Sequence, residues 1–245
     1  MTEAEWLSCR TVEPMLQWCW SLGQPVSDRK ARFCMLAWCR RAEHTFYQSE
    51  AAFALNAIEQ WTDGLITKEE YLNSWKRAGL RAPFYITLIG GLWAPHGCVI
   101  CATTQEVPIS LESVLGASAG AAWELGRRSA ELSRDESLSD AEGDDLYDVI
   151  VLRVGTEEIA IQANLLRDIL GNPFRPVIFD PAWRTATVSS FAERIYADRA
   201  FADLPILADA LEDAGCTSAD VLEHCRRPGE HARGCRVVDL VLGKS

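Results

Sequence analysis

The chain has 245 residues, 48% of them apolar, and a formal net charge of −11. That is enough apolar material for one sizeable domain or two small ones, and the acidic balance argues against a general phosphate-binding surface, which is built from Lys and Arg. The opening "MTEAEWLSCR" has no basic stretch running into an apolar one of the signal-peptide kind, so the expected address is cytoplasmic.

In chain order, residues 1–79 read as short helices. "EAEWLSC" and "PMLQWCW" come first, followed by "SDRKARFCMLAWCRRAE" with Ser27 as N-cap and "FYQSEAAFALNAIEQWTDG". "TKEEYLNSWKRAG" carries a capping box, Thr67 with Glu70, and a glycine stop at Gly79. From about 83 to 104 the composition turns β-branched and aromatic ("FYITLIGG", "GCVICATT"), and two short strands or two buried helical pieces fit equally well. The surrounding apolar run, 82–102, matches a membrane span in length, but Gly90, Gly91, Pro95 and His96 break it, so no membrane partner is expected.

Helix resumes over "ISLESVLGASAGAAWELGRRSAEL", with Ser110 as cap and Gly116, Ala117, Ala119 and Gly120 as a close-packing stripe. The acidic segment 131–148 reads as a linker or exposed loop between an N-terminal helical region, 1–130, and a C-terminal one, 149–245. "VIVLRVG" suggests a short strand over 149–154, and "TEEIAIQANLLRDILG" an amphipathic helix from Thr156 to a stop at Gly171. Two further helices end at Gly215, and Thr217 with Asp220 is spaced to cap the one holding "ADVLEHC". The expected fold is mainly α, a multi-helix bundle-like globular protein with a few short strands in its middle.

The nine cysteines are scattered rather than spaced as a compact disulfide framework, and all are read as thiols, most of them buried. Three fall in "CTSADVLEHCRRPGEHARGC" together with two of the four histidines. Cys216, Cys225, His231 and Cys235 have the spacing C-x8-C-x5-H-x3-C, which resembles a CCCH zinc finger with its last two ligand types exchanged. Zinc takes thiolate and imidazole in any order around a tetrahedron, so these four are the candidate metal ligands and zinc the candidate cofactor. His224 is the spare, because it and Cys225 point about 100° apart on a helix. Core packing of the same cysteines competes with this reading.

A catalytic thiol is a third reading, with Cys216 as nucleophile, His224 or His231 as base and Asp209 or Asp213 orienting it. A thiol, an imidazole and a carboxylate within hydrogen-bond reach would favour it. "HGCVIC" holds a lone CxxC at Cys98 and Cys101, and "CRRAEH" and the C-terminal arginines form two basic patches without aromatic residues for base stacking. Phosphate-loop and HExxH patterns are absent from the sequence.

"LLRDILGNPFRPV", "DPAWRTATV", "LPILADALEDAGC" and "EHCRRPGEHARGCRVVDLVLGK", with "MTEAEWLSC" and "SDRKARF" near the start, resemble a large paralogous family of uncharacterised proteins expanded in planctomycetes. The resemblance covers roughly residues 1–65 and 160–245 and lies in word order. It implies a helical fold and transfers no chemistry. The expected function is a soluble interaction or regulatory protein with a protein partner and a structural zinc in its C-terminal segment. The alternatives are an enzyme using a Cys/His site and nucleic-acid binding through the basic C-terminal segment.

Overall fold

The computed structural model describes residues 1–22, 26–45, 49–77, 111–133 and 139–244, and among these every regular element is helical. The helices are α1 (Glu3–Ser8), α2 (Val12–Ser21), α3 (Asp28–Arg41), α4 (Ser49–Thr62), α5 (Lys68–Arg77), α6 (Leu111–Leu132), α7 (Asp140–Leu170), α8 (Ala186–Asp198), α9 (Leu204–Asp213), α10 (Ala219–Arg226) and α11 (Arg236–Leu242). No helix among the described residues is long and apolar enough to cross a membrane. The strand or helix question at 83–104, the CxxC, Gly79 and Ser110 all lie outside the described residues.

Four expectations are corrected. The strand read at 149–154 and the acidic residues 140–148 read as loop both belong to the single helix α7. Ser139 and Glu142 form a capping box that starts it: the Ser139 N–H donates to Glu142 Oε2 at 3.1 Å. Thr156, expected to begin a helix, instead donates its hydroxyl to the Leu152 carbonyl one turn back. The stop at Gly171 holds, with φ of 79°. Among the described residues six cysteines are free thiols, but Cys39 is disulfide-bonded, a pairing that spacing along the chain does not reveal.

The chain divides into two compact units, one of residues 9–163 and one joining residues 1–8 to 164–245. In the larger unit α3 packs on α4 and α6, α2 on α6, and α4 on α5. Every residue of α3 from Ala31 to Cys39 is buried, which makes it the central helix. Gly126 of α6 lies so close to α7 that a Cβ there would sit 2.6 Å from the Val151 carbonyl oxygen. A buried polar layer joins the same elements: Arg41 clasps Glu158 at 2.7 Å, Gln162 donates to Glu158 and to the Ser118 carbonyl, and Trp38 Nε1 donates to the Gln162 carbonyl. The first basic patch is consumed here, since Arg40 is held by Glu43, Asn56 and Glu59.

In the other unit, α8 packs on α9 and α11, and α10 on α9 and α11. Val188, Ile195, Leu207, Leu211, Val221 and Val238 form its core, and Cys216, Cys225 and Cys235 belong to the same cluster. α9 ends in a Schellman motif. The Cys216 N–H bonds the Leu211 carbonyl, the Gly215 N–H bonds that of Glu212, and Gly215 has the positive φ of 86° this turn requires. That turn sends Cys216 inward, at 2% exposure. The expected cap of the next helix shifts by one residue: Ser218, rather than Thr217, is the N-cap of α10, and it makes no side-chain cap bond.

Candidate metal centre

Three segments of the C-terminal unit meet in one buried cluster. Asp168 comes from the last turn of α7, His224 from α10, and His231 and Cys235 from the loop into α11, where Cys235 is the N-cap. Their four donor atoms all lie within 4.8 Å of one another. His231 Nδ1 is 2.6 Å and His224 Nε2 3.1 Å from the same oxygen, Asp168 Oδ1, and His224 Nε2 is also 3.1 Å from Cys235 Sγ. The other Asp168 oxygen accepts from the Ala232 N–H at 3.1 Å. The side chains of His224 and Asp168 are 1% and 4% exposed.

The electrostatics follow from burial. Burial raises the Asp168 carboxyl, but the hydrogen bonds and charges of the two imidazoles outweigh it and hold the group well below the ordinary carboxylate range. Burial lowers His224 and favours its neutral form, against the pull of Asp168. Cys235 is pushed well above the usual thiol value by burial and by the neighbouring carboxylate. For the same two reasons Cys225 rises to about 12.

Of the four residues expected as ligands, His231 and Cys235 are in the cluster, whereas Cys216 and Cys225 lie in the apolar core beside it. The helical geometry that separates His224 from Cys225 turns the histidine to the cluster and the cysteine to the core, so the residue set aside as spare replaces one expected ligand. Asp168 replaces the other. Sequence spacing gave no signal for Asp168, which is 56 residues before His224 and looks like an ordinary helical carboxylate.

Of the trio read as a catalytic thiol, Cys216 packs in the core and Asp209 pairs with Arg226 at 2.8 Å, and neither belongs to the donor cluster. A different thiol, imidazole and carboxylate do meet, at Cys235, His224 and Asp168. Their geometry is not that of a relay, in which a base uses one ring nitrogen for the nucleophile and the other for the orienting carboxylate. Here both partners converge on Nε2, and the buried Nδ1 of His224 has no hydrogen-bond partner. Convergence of donors on one point is what an ion requires.

A tetrahedral ion with bonds of about 2.0–2.3 Å sets its ligand atoms about 3.3–3.8 Å apart. The distances between 2.6 and 3.1 Å given above would have to open to admit one. The mixed sulfur, nitrogen and oxygen set suits a borderline ion such as zinc better than calcium or magnesium, which take oxygen alone. Thiolate and carboxylate together also neutralise a divalent charge, which a buried site favours.

No protein-family model matches the chain, and neither the curated proteins nor the solved structures hold a significant match to it.

Proposed function

We propose that this is a non-catalytic helical interaction or regulatory protein whose C-terminal unit is fastened by one structural zinc on Asp168, His224, His231 and Cys235. The observation that carries the reading is the convergence of four donors of mixed type, three of them buried, from the end of α7, α10 and the loop into α11. Four protein ligands fill a tetrahedron and leave no position for water or substrate, the mark of a structural rather than a catalytic site. The ion would tie the end of α7 to α10 and to the N-cap of α11. A role in docking on a protein partner is supported by Leu146, Val149 and Leu152 of α7, which recur at helical spacing and are 37%, 62% and 73% exposed.

Elemental mass spectrometry of the purified untagged protein tests the metal. One zinc per chain is expected in the wild type and in Cys225→Ser, and none in His224→Ala or Cys235→Ser. Zinc lost from Cys225→Ser and kept in His224→Ala would restore the ligand set read from spacing. A metal-free, stably folded wild type would sink the zinc reading altogether.

The contact between Cys235 and His224 favours thiol chemistry as a second reading. Against it stand the full burial of Cys235 and its raised pKa, since the thiolate is the nucleophile. Rapid alkylation of Cys235 by iodoacetamide in chelator-treated, folded protein would decide for it; modification only on unfolding decides against.

A further inference from the structure

A cavity of about 570 Å³ lies in the C-terminal unit beside the metal centre and shares His224 with it. Its size is in the range of small-molecule sites, about 300–1,000 Å³. Five arginines line it, Arg167, Arg175, Arg226, Arg227 and Arg236, against the carboxylates of Glu3, Asp220 and Glu223. In a chain of net charge −11 this positive wall is a local feature.

The arginines differ in what already holds them. Arg175 pairs with Glu3 at 2.7 Å, and Arg226 with Asp209 and Glu212. Arg167 donates twice to the Trp6 carbonyl, at 2.7 and 2.9 Å. Arg236 donates once, from Nη2 to the Asp220 carbonyl at 3.0 Å, and neither Arg236 nor the exposed Arg227 has an ion pair among the described residues.

Arg236 is also held in place. Its stem crosses Gly171, where a Cβ would lie 2.6 Å from Arg236 Cδ. Two guanidinium groups thus stand at the wall of one cavity, that of Arg236 half-buried and that of Arg227 exposed. Leu7 and Leu222 give the same cavity an apolar side.

We propose that this cavity binds a small organic phosphate monoester, with the phosphate on Arg227 and Arg236 and the organic part against Leu7 and Leu222. A dianionic phosphate offers oxygens to two guanidinium forks at once, which a single carboxylate does less well.

Isothermal titration of the full-length protein with phenyl phosphate tests this, with inorganic phosphate and benzoate in parallel. Saturable binding of phenyl phosphate is expected, tighter than inorganic phosphate and about tenfold tighter than benzoate. Arg227→Gln, at an exposed position, is expected to weaken it about tenfold with circular dichroism and zinc content unchanged, and Arg236→Gln to weaken it at least as much. No saturation at millimolar phenyl phosphate overturns the proposal, as does wild-type affinity in both variants or equal affinity for benzoate. The two readings fail separately: protein isolated without zinc that still binds phenyl phosphate removes the structural metal and keeps this site.

Discussion

His224 and Cys225 are neighbours on α10, and about 100° of helical rotation sends one to the polar cluster and the other to the core. The sequence made that separation legible but not which of the two would be chosen, because the choice depends on Asp168, which only the folded chain brings near. The same cluster sets a pH dependence in the metal-free protein. His224 is held below its ordinary value of 6.5, so the unfolded chain binds the proton first, and stability falls as the pH drops through about 6.5. Asp168 is also held low, so its contribution is present above about pH 4 and is lost below. Both act in the same direction. Melting curves of chelator-treated protein should show a midpoint falling from pH 7 to 4, and His224→Gln should remove the upper part of that fall. A midpoint that does not move over this range would contradict the assignment of His224.

At the scale of elements, the caps were the most legible features. Ser27, the Thr67–Glu70 box and the glycine stops at Gly171 and Gly215 each satisfy local backbone groups and depend on only a few adjacent residues. The long helix α7 was missed because its start is acidic and its middle is β-branched. Those signals suggest loop and strand, yet the Ser139–Glu142 box was present in the sequence all along. A close approach that the sequence reading did not single out occurs at Gly126, where α6 and α7 nearly touch. Gly126→Ala would meet backbone and not a movable side chain, and should cost about 1–3 kcal/mol in denaturant unfolding. Arg41→Met leaves Glu158 buried without its clasp, and about 3 kcal/mol should be lost. Recovery in the double variant with Glu158→Gln would show that the loss comes from the orphaned charge.

For the whole molecule, the sequence divided the chain by charge, at 131–148, but the contacts divide it at 8/9 and 163/164, inside a helix and across its ends. Charge patterning reports solvation, and a solvated helix is as acidic as a linker. Removing the proposed zinc with a strong chelator should lower the melting temperature of the C-terminal unit by several degrees. Fluorescence of Trp183 should report this, against a Trp183→Phe variant that lacks the signal; an unchanged transition would mean the cluster contributes nothing to folding. The membership of residues 1–8 in the unit formed by 164–245 has a bearing on how the protein is made. Trp6 is fully buried there and its carbonyl is gripped by Arg167, so Trp6 is made 161 residues before the side chain that holds it. At about 5–20 residues per second, that segment stays unsheltered for on the order of ten seconds before Arg167 emerges. During that interval its apolar tryptophan is open to chaperones and proteases.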